Sequence, residues 1–311
     1  MNIPHIIDAH SHLWRLQDTT WNGQRIRTLA GNGSRSEFLG EERQMLPPFM
    51  TDGANSAERL LSNMDYARVG AAVVTQEFID GLQNDYLADV QCRYPDRLFC
   101  FAMPDFRLEG YYEAGRRLLE EGGFRGIKVP AARLIGQDWR VRMNDPEMMR
   151  LCHFMEQRGD ILHVELADGD TQVGELREVI KECPRLRVVI GHFGMVTRPG
   201  WMQQILLARY PNVYIESGGI TWLYNDEFYP FPSAVRAIRE AADAVGFEKL
   251  MWGSDYPRTI TAITYRMSYD FLLRSSLLAE DELTAFLGEN AQRLFDFKDL
   301  PELPYIKNMS E

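Results

Sequence analysis

His5-Ile6-Ile7-Asp8-Ala9-His10-Ser11-His12 forms the first apolar run of the chain and ends it on two histidines. It has the length and composition of a strand covered on both faces. Seven more such runs follow, at residues 70–75, 98–104, 124–129, 160–165, 186–192, 212–217 and 249–255. The stretches between them carry apolar residues at helical spacing. Ser56 heads one with a capping hydroxyl, and Pro146 after Asp145 suits the first turn of another. Strands alternating with helices imply parallel strands joined by right-handed crossovers, and eight repeats match a closed barrel. An open doubly wound sheet would more often place a Gly-rich phosphate turn after its first strand. Here that strand ends in His10-Ser11-His12. The fold expected is therefore α/β, a (β/α)8 TIM barrel, with one domain over residues 1–311.

Two segments break the rhythm. Residues 14–55 form a long polar excursion after the first strand, and residues 218–232 follow the seventh. The second holds Trp222, Tyr224, Phe228, Tyr229 and Phe231. Both fall on the strand-to-helix side, where barrel active sites lie. Long loops in compact domains are commonly functional. We read the two segments as loops covering the mouth of a pocket, with Trp14 and Trp222 against a bound substrate. The competing reading makes the aromatics a satellite core or an oligomer contact.

The chain has 45 acidic and 34 basic residues and a net charge of −11. That balance argues against a nucleic-acid partner, which calls for a basic surface. No apolar run reaches the ~18–20 residues of a membrane span, and no signal-like segment opens the chain. A cytoplasmic protein with no membrane partner is expected; a homo-oligomer is compatible with such a barrel. Cys92, Cys100, Cys152 and Cys183 are widely spaced without a C-x-x-C pair, so reduced, buried thiols are expected.

Of six histidines, His10, His12, His163 and His192 fall at strand ends, and Asp255 closes the eighth strand. Residues two apart on a strand share a face, so His10 and His12 can aim at one point. In a closed barrel these ends converge. Imidazole and carboxylate together suit Zn2+, Mn2+ or Fe2+. Taken singly, His163 reads as a core histidine and Asp255 as a helix cap. Their joint placement carries the metal reading. His5 and His153 read as structural.

His10-Ser11-His12 resembles the H-x-H signature of the amidohydrolase superfamily. Gly191-His192-Phe193-Gly194 and Gly253-Ser254-Asp255-Tyr256-Pro257 resemble its strand-six and strand-eight motifs. Residues 287–295, Leu-Gly-Glu-Asn-Ala-Gln-Arg-Leu-Phe, resemble the last-helix motif of its amidohydrolase-related branch (amidohydrolase 2). That branch contains sugar-lactone and pyrone-dicarboxylate lactonases, and decarboxylases of aromatic or muconate-like acids. The resemblance implies a metal-dependent TIM-barrel enzyme with His10, His12, His163 and Asp255 as ligands, zinc being the default ion and manganese the next. It makes His192 a second-site ligand or the acid/base, and Asp255 also a proton acceptor. Lys128 is expected to hold substrate or to pair with Glu165 or Glu216, carboxylation being the third option. Arg258 suits bidentate recognition of an acidic group, and the substrate expected is small and carboxylate-bearing. The implied activity is hydrolysis of a lactone or related carboxylic ester by a metal-activated water. The alternatives are non-oxidative decarboxylation of an aromatic or muconate-like acid, and a non-catalytic metabolite-binding barrel.

Overall fold

A computed structural model describes residues 5–135, 141–307 and 309. In chain order its strands are β1 (Ile6–His12), β2 (Asp18–Trp21), β3 (Gln24–Thr28), β4 (Arg35–Phe38), β5 (Glu41–Gln44), β6 (Val69–Thr75), β7 (Leu98–Cys100), β8 (Gly126–Val129), β9 (Ile161–Val164), β10 (Arg187–Ile190), β11 (Val213–Glu216) and β12 (Leu250–Met251). The eight anticipated strands all form, as β1 and β6–β12. They make two parallel sheets, β1-β6-β7 and β8-β9-β10-β11-β12. Single bridges join the sheet edges at both seams. Ala102 pairs with Ile127 beside β8, and Ser11 of β1 pairs with Tyr256 just after β12. Lys128 N donates to Ala102 O at 2.8 Å, and Asp255 N donates to His10 O at 2.9 Å.

Alternation along each strand sends one set of side chains inward and the other against the helices. Ile7, Ala9, Ala71, Val73, Phe101, Ile161, Val189 and Met251 form an inner cluster with Phe295. Ile6, Val69, Ala72 and Val74 pack outward with Leu60 and Met64 of the helix Ala57–Ala67. That helix is capped by Ser56, whose side chain accepts from Arg59 N at 3.4 Å. Pro146 starts the helix Pro146–Arg158, which ends at Gly159 in the left-handed region.

Strand β1 has two register shifts against β6, and the second positions the site. Asp8 pairs with Ala72 but Ser11 pairs with Val74, so three steps on β1 oppose two on β6. The extra residue is a bulge, which changes which face the following side chains address. Ile7 and Ala9 fill the inner cluster below it; His10 and His12 reach the site above it.

The excursion at residues 14–55 is not a loop. Strands β2–β5 form an antiparallel meander in chain order. Asn22-Gly23 and Leu39-Gly40 turn the β2–β3 and β4–β5 hairpins, all four residues at positive φ (50°, 72°, 54° and 87°). Two consecutive left-handed residues match the right-handed twist of paired strands. Trp21, Ile26 and Phe38 give the meander its buried face.

The aromatics of residues 218–232 divide. Trp222, on the short helix Ile220–Leu223, turns to the site. Tyr229 Oη donates to Asp270 at 2.9 Å, Phe231 packs on Phe271, and Phe228 is exposed. Cys100, Cys152 and Cys183 are buried thiols, whereas Cys92 is exposed, against expectation. Among the described residues no helix is long and apolar enough to cross a membrane.

Candidate active site

The strand ends converge as the motif spacing anticipated. His10 Nε2 and His12 Nε2 lie 3.0 Å apart. Asp255 Oδ1 lies 3.0 Å from His12 Nε2 and 3.7 Å from His10 Nε2. These three residues offer ligand atoms close enough for one ion. Bonds of about 2.0–2.2 Å to nitrogen and oxygen would span such separations with little movement. Both nitrogens of His163 are buried without a well-aligned hydrogen bond, as expected of an imidazole built to receive something else, whereas His12 Nδ1, also without an aligned bond, has Asp80 Oδ2 3.2 Å away. The donor set therefore fits a divalent ion.

His163 is brought to the same centre but on the far side of His10. The two rings stand 5.5 Å apart, and His163 Nε2 faces Glu216 Oε1 at 3.4 Å. Glu216 ends β11 and serves several groups. One oxygen lies 2.7 Å from His10 Nδ1 and accepts from His192 N at 3.0 Å; the other accepts from Gly218 N. The motif glycines make room for it. A Cβ at Gly191 or Gly253 would sit 2.7 Å from a Glu216 oxygen. Sequence reasoning treated Glu216 only as a pairing option for Lys128; a carboxylate closing a buried strand was the available signal.

Lys128 is fully buried and donates to Glu165 Oε1, one of the two partners expected for it, and it does not reach the cavity. Glu165 also faces His192 Nε2 at 3.1 Å. Burial works against charge on His192, and Glu165 outweighs it, raising its pKa to about 9. For His163 burial wins and lowers the pKa to about 3. Burial opposes ionisation of Asp255 as well, yet the hydrogen bond with His12 and the Arg258 charge hold its carboxyl far below the usual range. Trp222 Nε1 donates to the other Asp255 oxygen at 2.8 Å. His192 and Asp255 both sit at positive φ, 53° and 60°. Such backbone costs about 1–3 kcal/mol per residue and concentrates at functional sites.

A cavity of about 370 Å³ opens over this centre. His12, Glu165, His192, Trp222, Asp255 and Arg258 line it, together with Glu77 and Arg133, which the sequence reading did not single out. Trp14 does not line it. Its ring is buried with Leu46 and Met50, and its Nε1 donates to Gly53 O at 3.1 Å, so it anchors the excursion instead. Arg258 does face the cavity, with Nη2 2.9 Å from Asp80 Oδ1 and Nη1 3.5 Å from Asp255 Oδ1. Arg133 Nε donates to Glu77 at 2.5 Å.

Residues 7–297 match the family model described as amidohydrolase. The chain belongs to that family. Among amidohydrolase relatives, it is 24% identical over 262 residues to L-fucono-1,5-lactonase of Burkholderia ambifaria, covering 81% of this chain and 80% of that protein. An amidohydrolase from Burkholderia multivorans, solved with bound zinc, superposes with a TM-score of 0.70 at 20% identity, covering 96% of this chain and all of the other. The 5-carboxyvanillate decarboxylase of Sphingomonas paucimobilis superposes with a TM-score of 0.57 at 17% identity, over 79% of this chain and 85% of that one. This amidohydrolase thus shares its α/β fold with both hydrolytic and decarboxylating proteins.

Proposed function

We propose that this amidohydrolase is a divalent-metal-dependent lactonase acting on a small, neutral, oxygen-rich lactone. One observation carries the choice of substrate: each cation at the cavity already has a carboxylate. Arg133 and Arg258 line it, paired with Glu77 and with Asp80 and Asp255, and Lys128, which does not line it, is buried against Glu165. A substrate carboxylate would have to displace one of these anions, whereas a neutral ring ester needs only hydrogen-bonding groups. The lactonase relative lends the reading support, and the expected carboxylate-bearing substrate, the class held by the neighbours solved with citric acid and with 2,6-dihydroxybenzoate, is the alternative that the test decides.

The eight parallel strands would close as one (β/α)8 barrel forming a single domain, with Trp222 at its mouth and the meander packed behind the turn Phe78–Asp80. His10, His12 and Asp255 would hold the ion, zinc or manganese; His163 shares Glu216 with His10. A bound divalent ion supplies a lowered pKa for water, from 15.7 to about 7, and polarisation of a carbonyl. Asp255 accepts the proton of the attacking water. His192, kept protonated by Glu165, donates to the ring oxygen as the acyl C–O bond breaks. The product is the open hydroxy acid.

The test pairs elemental analysis of protein purified without added metal with turnover on sugar lactones and on aromatic acids, before and after chelation. Lactone hydrolysis lost on chelation and restored by Zn2+ or Mn2+ is expected. CO2 release from an aromatic acid with no lactone turnover would transfer the site to decarboxylation. Lactone hydrolysis indifferent to chelation would remove the metal from the proposal.

A further inference from the structure

Between the meander and the metal-binding histidines runs a line of buried polar groups that the hydrolytic step does not use. Ser36, on β4, donates from Oγ to Gln17 Oε1 at 2.9 Å. Gln17, just before β2, donates from Nε2 to Asp80 Oδ1 at 3.1 Å. Asp80, on the turn after β6, sets its other oxygen 3.2 Å from His12 Nδ1. Ser36, Gln17, Asp80 and His12 are each 1% exposed.

We propose that Ser36, Gln17 and Asp80 form a positioning relay through which the inserted meander fixes the tautomer and aim of His12. The inference rests on His12 being a metal ligand, as argued above. An imidazole offers a lone pair at Nε2 only if its proton is on Nδ1, and a carboxylate beside Nδ1 enforces that state. The orientation of Asp80 is set in turn. Oδ1 receives both Gln17 Nε2 and Arg258 Nη2, which leaves Oδ2 for His12. Gln17 has two ends that differ chemically, and only one arrangement satisfies both of its neighbours. The Ser36 hydroxyl must find an acceptor, so it holds the carbonyl oxygen and turns the amide donor towards Asp80. A meander that merely covered the mouth would need none of these contacts. Its apolar face of Trp21, Ile26 and Phe38 already seats it.

The test uses the full chain, stripped of metal. Affinity for Zn2+ or Mn2+ is measured by chelator competition, thermal stability of the metal-free protein is recorded alongside, and the His12 tautomer is read from nitrogen-15 NMR. Gln17→Met keeps the volume and removes the hydrogen bonds to Ser36 and Asp80, along with a longer one to Ile79 O. Asp80→Asn leaves an oxygen for Gln17 and Arg258 and turns an amide N–H to His12 Nδ1, forcing the proton onto Nε2. Both variants are expected to lose about 10–100-fold in metal affinity, Ser36→Ala less, and Asp80→Asn is expected to show the inverted tautomer. Ile26→Val is the control: it loosens the meander core without touching the relay, and should lower stability with metal affinity unchanged. Equal affinities in Gln17→Met and the unaltered protein would overturn the relay, as would affinity in Ile26→Val that falls in step with its stability. An unaltered protein that binds no metal would instead overturn the proposed function and take the relay with it.

Discussion

Glu216 Oε1 stands 2.7 Å from His10 Nδ1, and both side chains are completely buried. Burial alone would push the Glu216 carboxyl up, but His10 and the hydrogen bonds around it hold it well below the carboxylate range. An ionised oxygen can only accept, so the His10 proton sits on Nδ1 and Nε2 is left bare toward His12 and Asp255. Glu216→Gln keeps the shape but offers an amide that can donate, which relaxes that constraint. Metal affinity should fall by about 10–100-fold, read by chelator competition on folded protein. Unchanged affinity would reduce Glu216 to a packing role.

Asp255 combines a proposed ligand oxygen, a bond from Trp222 and a left-handed backbone. Asn tolerates that backbone better than other residues. Asp255→Asn is therefore expected to keep its fold, by circular dichroism and thermal melting, while turnover drops by at least about 100-fold. Collapse of the fold in this variant would make the residue structural.

Lys128 of β8 and Glu165, the residue after β9, are a buried ion pair. Lys128→Met leaves a buried carboxylate with one cation fewer, a loss of about 3–5 kcal/mol in similar cases. Urea unfolding should show it, and Lys128→Met with Glu165→Leu should recover part of the loss. A single variant as stable as the parent would mean that Glu165 reaches water or another donor.

Alkaline stability follows from two groups remote from the candidate site. Burial pushes the Cys183 thiol from 9.0 up to about 11, and the Tyr269 phenol from 10.0 up to about 12. The folded chain keeps these protons where the unfolded chain has released them. The stability they contribute is fully present below pH 9 and is lost as pH rises toward 12. Melting temperatures between pH 8 and 11 should fall, and less steeply in Cys183→Ala and Tyr269→Phe. Parallel slopes in all three proteins would contradict the assignment.

The parts legible in the sequence share one property. Strand and helix periodicity, the Ser56 cap, the Pro146 start and the chemistry at each strand end are local, so eight strands and the residues His10, His12, His192 and Asp255 could be read directly. The meander was legible in principle, since Asn22-Gly23 is a hairpin signal, but its polar faces masked the strand pattern. Trp14 was misplaced because an aromatic after a motif points nowhere until the chain around it folds.

By itself the sequence determined the repeating strand–helix order and which ligand-type side chains stand at the strand ends, because covalent order and side-chain period suffice for both. Only the tertiary structure decided their partners. The bulge in β1 that aims His10 and His12, the claim of Glu216 on His10, the pairing of Lys128 with Glu165 and the neutralisation of Arg133 and Arg258 all depend on strand register and loop approach. Those bring together residues up to about two hundred positions apart, as with His10 and Glu216. Charge at such a site is a property of neighbours, and neighbours exist only once the chain has closed around them.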